Sequence, residues 1–382
     1  MDLTWSEDQR MMIAAVRDFC RDMLAPLARD IDETGETPPE VLKDLAELGL
    51  MSMPIPEDYG GLGLDTHTMC AVIEEISKVC AAVAITISVH NSVGAYPILR
   101  FGTEEQKQHY LPKMGRDWLG AFALTEPDAG SDAAAIATQA RRDGDGYVLN
   151  GSKMFVTNGR IGQLVMVMAR TDPDPGSRHR GISAFLIPAD TPGITMDDAG
   201  PKMGIRGSDT AAMTLEDVRV KADQLLGEEG EGFRIAMMSL DNGRLGVGAQ
   251  AVGIAQAALD EAVKYARERL AFGKPLAALQ AVQNMVAEMD TEVRAARMMV
   301  LRAAWMKDEG LPFTKEAAMA KLYAAEMAQR VTHDALQIHG GYGYMKEYPV
   351  ERYARDARIT EIYEGASEIQ RIVIARSLLR DE

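Results

Sequence analysis

Cysteine is scarce in this sequence, with only Cys20, Cys70 and Cys80 in a chain of 382 residues. None of them forms a C-x-x-C pair, and an odd number in so long a chain does not suit a disulfide framework. Basic residues are also in deficit, because 57 acidic against 41 basic residues give a formal net charge of −16. A strongly acidic surface repels nucleic-acid phosphates and anionic lipids, so we predict neither kind of partner.

The first residues of the sequence do not predict a secretory leader either. The first ten residues, MDLTWSEDQR, carry acids where a signal peptide needs a basic stretch followed by an apolar one. We find no segment with the ~20 apolar residues that a membrane span requires. We therefore expect a soluble cytoplasmic protein, or one of the mitochondrial matrix if the chain is a processed eukaryotic one.

Several catalytic motifs are absent: no G-x-G-x-x-G follows a strand, and the sequence has no P-loop, H-E-x-x-H or G-x-S-x-G. A nicotinamide-binding Rossmann domain, a P-loop NTPase and a serine esterase are therefore disfavoured. The six histidines lie scattered, without the spacing of metal ligands. We predict no metal site.

What the sequence does contain is 47% hydrophobic residues, enough to bury one large core or several connected ones. Residues 1–120 are predicted to form a helical domain. One helix should begin at Pro38-Pro39 and end before Gly49, since proline favours helix starts and glycine favours helix ends. A second helix is predicted over residues 69–84.

Residues 121–230 have the pattern of a β-domain. In YVLNGSKMFV the pair Asn150-Gly151 separates two β-rich runs, which predicts a hairpin turn. The runs LVMVMA at 164–169 and ISAFLI at 182–187 are predicted to be buried strands.

Residues 231–382 return to a helical pattern. The segment VGAQAVGIAQAALDEAVKYA is rich in alanine and glycine, which allow close approach of helix backbones within the subunit or between subunits. Farther along, apolar residues recur at steps of three and four, as in a helix bundle. This stripe comprises Leu279, Val282, Val286, Met289, Val293, Ala296 and Val300.

Six short strings, in order along the whole chain, resemble those of the acyl-CoA dehydrogenase family. The resemblance implies a helical N-terminal domain, a middle β-barrel and a C-terminal four-helix bundle, with FAD at their junction. It also implies a homotetramer built as a dimer of dimers. The strings are FALTEPDAGSD (122–132), KMFVTNG (153–159), LDNGR (240–244), RLAFGKPLAALQ (269–280), QIHGGYG (337–343) and IYEGASEIQR (362–371).

Glu364 is the candidate catalytic base. It stands between Ile362-Tyr363 and Gly365, where a loop would project its carboxylate into an apolar cavity and desolvation would strengthen it as a base. An isolated glutamate would otherwise be a solvated surface charge. The resemblance implies that Glu364 removes the α-proton of an acyl-CoA while the β-hydride passes to flavin N5. The thioester oxygen would bind the Glu364 amide and an FAD ribityl hydroxyl.

The segment from Phe122 to Ser131 is implied by the resemblance to wrap the flavin. Leu124 and Thr125 would face the isoalloxazine ring and its hydrogen-bonding edge. Ser131 would meet the FAD pyrophosphate and the nearby substrate, and backbone amides beside Gly130 would serve the phosphates. From the residues alone, the same segment equally suits a turn that links two domains.

Residues 155–157 are implied to meet the flavin as well. Phe155 stands where many relatives have tryptophan and keeps an aromatic face. Thr157 matches a hydroxyl that relatives place near flavin N5, and Val156 lies between the two. Taken alone, these residues also fit an ordinary strand.

Another set is implied to reach the adenosine and pyrophosphate of FAD, often that of an adjoining subunit, which would couple oligomerisation to cofactor binding. Taken singly, its arginine suits a partner for the helix dipole and its glycines suit a helix stop. The set comprises Arg269, Phe272, Gln280, Gln337, Gly340 and Gly341.

Asp241 and Arg244 fall in a motif that relatives place on the substrate side, where Arg244 would serve the CoA portion or organise the cavity. As a lone pair they could form a surface ion pair. Gly243 offers no side chain where isovaleryl-type relatives place their catalytic glutamate, which leaves Glu364 as the base.

The residues that flank the base complete the predicted site. Tyr363 and Gly365 are assigned to the substrate. Ala366 replaces the threonine common in relatives and lacks its hydroxyl, while Ser367 and Glu368 match the family; all three are assigned to the cofactor side.

The resemblance implies an electron-transferring flavoprotein as the acceptor of the electrons. Two alternatives remain open at this point. One is a flavin oxidase of the same fold, and the other is a catalytically silent homologue that serves in binding or assembly. The acyl chain is expected to be short, either straight or branched.

Overall fold

Helices occupy both ends of the chain and a β-sheet lies between them in the computed structural model, which describes residues 4–379. This order confirms the predicted fold class, mainly helical with a central β-domain. The N-terminal helices are α1 (Glu7–Phe19), α2 (Ala28–Thr34), α3 (Pro39–Glu47), α4 (Thr66–Val79), α5 (Ala81–Val89), α6 (Tyr96–Phe101) and α7 (Glu104–Met114).

The helix predicted over residues 69–84 is in fact two helices, because α4 ends at Val79 and α5 begins at Ala81. Cys80 between them is extended, with φ −148° and ψ 98°. The carbonyl oxygen of Val79 accepts a hydrogen bond from Arg352 at 3.0 Å. Because every residue of α5 is buried, its sequence has no polar face that would reveal where one helix stops and the next begins.

One helical stretch among the described residues, Ala81–Phe101, is long and apolar enough to cross a membrane by length and composition. The expectation that no segment reaches this length was therefore wrong. In its most apolar window, 89% of the residues are buried inside the protein, as in the core helix of a folded domain. The stretch comprises α5, a π-helical turn (His90–Ala95) and α6.

A single eight-stranded sheet forms the middle region. Its strands are β1 (Gly120–Ala123), β2 (Gln139–Asp143), β3 (Gly146–Thr157), β4 (Leu164–Arg170), β5 (Ile182–Pro188), β6 (Ile194–Asp198), β7 (Thr210–Lys221) and β8 (Leu225–Leu226). Seven of them follow the order β6-β7-β3-β2-β4-β5-β8, and β1 pairs in parallel with β4. The two runs predicted to be buried strands are β4 and β5, and both are buried over most of their length.

The hairpin predicted at Asn150-Gly151 is wrong, because β3 passes through these residues and pairs with β7 on both sides of them. The Asn150 amide instead exchanges hydrogen bonds with Asp217, at 3.1 and 2.9 Å. The ladder shifts register at Gly151, so the Asn-Gly pair marks a bulge rather than a turn. The turn lies at Gly144-Asp145, between β2 and β3.

The chain after the sheet is again helical, and its helices contain many of the buried apolar residues. They are α8 (Gly232–Glu268), α9 (Gln280–Asp308), α10 (Thr314–His339), α11 (Val350–Arg358) and α12 (Ser367–Leu379), with the short strands β9 (Leu270–Ala271) and β10 (Lys274–Pro275) after α8. In the predicted stripe of α9, the residues from Met289 to Val300 are buried, whereas Val282 and Val286 are only half-buried. Leu279 precedes the helix.

The glycines of α8 allow neighbouring helices to approach its backbone closely. A Cβ built on Gly253 would lie 2.5 Å from the backbone oxygen of Glu74 on α4, and one built on Gly248 would lie 2.9 Å from a methyl group of Val300 on α9. These contacts are within one chain, so the Ala/Gly-rich segment serves packing inside the subunit. Glycine costs about 1 kcal/mol in a helix interior relative to alanine, and close packing compensates for it here.

Replacing Gly253 by alanine should lower stability, although alanine is the better helix former. The added methyl group meets the backbone of α4, which cannot rotate away, and we expect a loss of about 2–3 kcal/mol, typical of an overpacked core. Gly248→Ala, in the same helix, meets only a side-chain methyl and should cost less. Thermal unfolding midpoints of the two variants test this, and a Gly253→Ala protein as stable as the wild type would contradict it.

Candidate active site

The loop that precedes α12 carries Glu364 and bends sharply at this residue. Glu364 and Gly365 have φ angles of +55° and +93°, in the region that residues with side chains rarely adopt. The carbonyl oxygen of Gly365 accepts hydrogen bonds from Lys321 Nζ at 2.8 Å and from Gln370 Nε2 at 2.7 Å. A strained backbone of this kind persists where the surrounding structure fixes it, and these two donors do so.

The carboxylate of Glu364 lies against α8 at Gly243. A Cβ built on Gly243 would overlap the Oε2 atom of Glu364, so only glycine leaves room for the carboxylate in this position. Oε2 is buried and has no hydrogen-bond partner among residues 4–379. An unpaired buried carboxylate oxygen is costly for a fold, and here it is free to accept a proton.

Burial raises the pKa of Glu364 to about 7, while the charges of Arg244 and Lys321 restrain the rise. A carboxyl group with a pKa near neutrality is a stronger base than an exposed one. It also loses its proton readily when the pH rises slightly above that value. The environment therefore suits Glu364 to proton abstraction.

Arg244 and Asp241 form a buried ion pair on the first half of α8. Arg244 is 4% exposed, and Asp241 also accepts a hydrogen bond from the hydroxyl of Thr314 at 2.7 Å. The surface ion pair considered from the sequence is therefore excluded. The Nε atom of Arg244 has no partner within the described part of the chain, so this cation retains a free donor close to Glu364.

Tyr363, which precedes Glu364, is connected to α8 by a hydrogen bond. Its hydroxyl donates a hydrogen bond to the side chain of Gln250, and burial raises the pKa of Tyr363 well above its usual value, so the phenol is neutral. Gln250 in turn donates to the carbonyl oxygen of Ala81 at 2.9 Å. The loop is thereby connected through α8 to the start of α5.

The residues that follow the turn differ in exposure. Ala366 is half-buried and Glu368 is exposed. Ser367, the first residue of α12, is 6% exposed, and its hydroxyl has no partner among the described residues. Ser367 is thus the one of the three with a buried polar atom left for a ligand.

A second candidate surface lies where β1 ends, beside β3. Phe122 belongs to β1, and Leu124 and Thr125 follow it directly. The carbonyl oxygen of Thr125 accepts a hydrogen bond from the N–H of Met154 at 2.8 Å. Phe122, Leu124 and Thr125 are therefore fixed next to the strand that carries residues 155–157.

A buried ion pair between Lys153 and Glu126 supports this surface, with side chains 0% and 7% exposed. Lys153 Nζ donates to Glu126 at 2.7 Å and to the carbonyl oxygen of Leu124 at 3.2 Å. Glu126 also accepts from the N–H groups of Ala137 and Thr138, at 2.6 and 3.0 Å. Burial raises the pKa of Glu126, but Lys153 and these N–H groups bring it below its usual value. Burial lowers the pKa of Lys153 to about 8.

Phe155 turns outward from β3 instead of alternating along an ordinary strand. It is 64% exposed and has a φ of +58°, because the ladder shifts register between Lys153 and Val156, and a bulge re-aims a side chain in this way. Thr157 is half-buried. Val156 is fully buried in the core of the sheet, so its side chain is not open to a ligand.

The loop between β1 and β2 carries Gly130 and Ser131, and both residues are exposed. It begins with a β-bridge between Glu126 and Ala129. Among residues 4–379, and apart from its two neighbours in the chain, no atom lies within 4 Å of a Cβ built on Gly130, so a ligand has room to approach the backbone there.

A cavity of about 560 Å³ lies between the end of α8 and the turn after α10. Arg269 lines it with a guanidinium 5.3 Å from the ring centre of Tyr342. Gly340 and Gly341 form part of the wall, and no described atom beyond their chain neighbours lies within 4 Å of a Cβ built on either. The predicted combination of a cation and a glycine turn therefore exists as one concave site.

Phe272, Gln280 and Gln337, assigned to the same set, are exposed and do not line this cavity. Phe272 is 91% exposed. Between residues 4 and 379, no hydrogen bond, ion pair or ring contact joins this set to the surface of Leu124, Thr125 and Phe155. A single chain does not bring the two predicted cofactor regions together by direct contact.

Sequence reasoning missed three charged residues. Glu126 and Lys153 stood inside the quoted strings, but nothing in the sequence paired them across 27 positions. Lys321 lies on an apolar, alanine-rich stretch of α10; a lysine at a core position was the available signal. Within the described residues no cluster of histidine, cysteine, aspartate and glutamate could hold a metal ion.

Comparison with known proteins identifies the class. Residues 6–117, 121–218 and 230–379 match the N-terminal, middle and C-terminal domains of acyl-CoA dehydrogenases. The chain therefore belongs to the acyl-CoA dehydrogenase family, as its motifs predicted. It is 51% identical to the mitochondrial short-chain specific acyl-CoA dehydrogenase of Bos taurus, over 98% of this chain and 90% of that one.

Solved structures agree with this membership. Butyryl-CoA dehydrogenase from Megasphaera elsdenii has a TM-score of 0.97 and 45% sequence identity, covering 100% of both chains. A chain solved in work on the electron transferring flavoprotein of Acidaminococcus fermentans also has a TM-score of 0.97, with 46% identity and full coverage of both chains.

FAD is the cofactor of this family, and the residues of the two candidate regions fit it. Phe155 presents an exposed aromatic face, which suits contact with an aromatic ring system such as that of a flavin. Open space beside Gly130 and an unpaired hydroxyl on Ser367 suit an anionic diphosphate and its neighbours. The enzyme is therefore an FAD-dependent oxidoreductase.

Lys153→Met should weaken FAD retention and lower stability, because it leaves the buried carboxylate of Glu126 without its cation. Breaking a buried pair in this way costs about 3–5 kcal/mol. The measurements are FAD content per chain after gel filtration and the thermal midpoint. Arg142→Met is a matched control, since it removes an ion pair to Glu229 that is largely exposed and should cost less than ~1 kcal/mol. Equal behaviour of the two variants would refute the supporting role of Lys153.

Proposed function

We propose that this enzyme desaturates a short straight or branched acyl-CoA to the trans-2-enoyl-CoA, with Glu364 as the base. One observation carries the proposal: a buried carboxylate with a raised pKa and a free Oε2 atom, held against a glycine. The α-proton of a thioester is weakly acidic, so its removal needs a desolvated and positioned base. Glu364 meets both requirements.

The backbone beside Glu364 suits the carbonyl oxygen of the thioester. The N–H of Glu364 donates no hydrogen bond among the described residues, so it is available to an acceptor. A donor at this point would stabilise the negative charge that develops on the oxygen as the α-proton leaves. FAD, when bound, supplies the acceptor for the β-hydride.

The remaining site residues are proposed in supporting roles. We assign Phe122, Leu124, Thr125, Gly130, Ser131 and residues 155–157 to the flavin side, together with Ala366, Ser367 and Glu368. We assign Ser131, Asp241, Arg244, Tyr363 and Gly365 to the acyl-CoA side. The cavity lined by Arg269, Gly340 and Gly341, with Phe272, Gln280 and Gln337 near it, is proposed to take the adenosine and pyrophosphate portion of FAD.

Glu364→Gln should keep the yellow FAD and the ability to bind acyl-CoA, but abolish flavin reduction. The amide is nearly isosteric with the carboxylate and cannot take a proton, so the rate of reduction should fall by about 10³-fold or more. Anaerobic stopped-flow bleaching of the flavin measures this rate. Glu292→Gln, which alters an exposed ion pair on α9, is the control. A Glu364→Gln enzyme that reduces its flavin normally would eliminate Glu364 as the base.

A short acyl chain is supported by two of the relatives described above. They are the mitochondrial short-chain specific acyl-CoA dehydrogenase of Bos taurus and the butyryl-CoA dehydrogenase of Megasphaera elsdenii.

The acyl specificity can be measured by anaerobic flavin bleaching with butyryl-, isobutyryl-, 2-methylbutyryl- and octanoyl-CoA in separate cuvettes. We expect one of the three short substrates to bleach the flavin, and octanoyl-CoA to be at least ~10-fold slower, because each poorly accommodated methylene costs about 0.8 kcal/mol. Fastest bleaching by octanoyl-CoA would overturn the short-chain assignment. Bound FAD that no substrate reduces would favour the oxidase or the silent homologue.

The assembly is proposed to be a homotetramer, a dimer of dimers. Leu270, Phe272 and Tyr344 are 65%, 91% and 89% exposed, and large apolar side chains so exposed favour burial against another subunit. We further propose an electron-transferring flavoprotein as electron acceptor and a cytoplasmic location. We also propose that the chain is divided into three domains, at residues 1–120, 121–230 and 231–382.

A further inference from the structure

Lys321 is a buried lysine in the C-terminal bundle. Its side chain on α10 is fully buried, and the residues around it in sequence, from Ala317 to Ala325, include five buried alanines. Removing an ammonium group from water is costly, so a lysine at such a position needs a compensating contact. The contact is the carbonyl oxygen of Gly365, which Lys321 Nζ reaches at 2.8 Å.

The same carbonyl oxygen already has a neutral donor. Gln370 Nε2 lies 2.7 Å from it and 3.3 Å from the carbonyl oxygen of Glu364. A second neutral donor would satisfy the turn without burying a charge. The charge of Lys321 therefore calls for a separate explanation.

Of the two cations that act on Glu364, Lys321 is the one without a carboxylate partner among the described residues. Arg244, the other cation that acts on Glu364, is paired with Asp241 on its own helix. Lys321 has no carboxylate within ion-pair distance among residues 4–379. Glu364 is nevertheless the strongest electrostatic influence on it.

We propose that Lys321 is a positioning residue for Glu364, fixing the backbone turn of the base through the Gly365 carbonyl and supplying unpaired positive charge beside its carboxylate. This inference rests on the proposed role of Glu364. The ionised base and the ammonium then stabilise each other in a site that excludes water. Positioning and ionisation of the base are thus provided by one side chain.

The charged and titratable groups around this pair come from four elements. They are Arg244 and Asp241 on α8, Lys321 and Glu326 on α10, Tyr363 on the loop of the base, and Glu368 on α12. Burial lowers the pKa of Lys321 to about 7, against the opposing effect of Glu364. Removing the Lys321 charge should therefore raise the pKa of Glu364, and the base would be protonated over a wider range of pH.

Three variants of the holoenzyme separate charge from geometry. Lys321→Met removes the charge and the hydrogen bond, and Lys321→Arg keeps the charge. Gln370→Leu removes the neutral donor to the same carbonyl oxygen. FAD content and thermal midpoint identify any variant that fails to fold, and Lys321→Gln replaces Lys321→Met in that event.

The readout is the acidic limb of kcat/KM against pH, measured with the acyl-CoA that reduces the wild-type flavin. For Lys321→Met we expect this limb to move upward by about one pH unit, the size of effect that a nearby charge has on a carboxyl pKa. Lys321→Arg should restore the limb. Gln370→Leu should lower kcat and leave the limb in place.

An infrared titration provides a second readout that needs no turnover. The protonated-carboxyl band that Glu364→Gln abolishes should persist to higher pH in Lys321→Met than in the wild type. An unmoved acidic limb and an unmoved band in Lys321→Met would overturn the inference while leaving Glu364 as the base. Full activity in Glu364→Gln would instead overturn the proposed function itself.

Discussion

The contact between the carboxylate of Glu364 and the bare backbone of Gly243 is the constraint on which the candidate site depends. It requires a glycine in the middle of a long helix, a left-handed turn at Glu364 and a second one at Gly365. Each of these features is unfavourable alone. They persist together because α8, α10 and α12 enclose the loop and provide its hydrogen bonds.

The β-sheet holds the exposed side chain of Phe155 beside the backbone segment at the end of β1. The bulge in β3 turns Phe155 outward, and the hydrogen bond from Met154 to Thr125 keeps the end of β1 next to it. Beneath them, the ion pair of Lys153 and Glu126 is buried. The candidate cofactor surface is therefore supported by polar contacts inside the sheet in addition to its apolar core.

Local sequence signals predicted the elements whose patterns are local. The strands β4 and β5 follow from continuous apolar runs, and the helix stripe from Met289 to Val300 follows from hydrophobic periodicity. The family motifs gave the class and the cofactor. The Asn150-Gly151 hairpin failed because the same dipeptide suits a bulge when a longer strand, β7, is available to pair with both sides of it. The break at Cys80 was invisible because α5 is apolar on every face.

Long-range electrostatics was the part that the sequence could not provide. Glu364 and Lys321 are 43 positions apart, and no local sequence pattern around either residue indicates that the two are close in space. Their proximity follows from how α10 packs against the loop before α12. The same packing brings two opposing effects to the Glu364 carboxylate: burial raises its pKa, and the nearby cations restrain the rise. A pKa near neutrality is the balance of these two effects, so the bundle sets the proton affinity of Glu364 as directly as the loop sets its position.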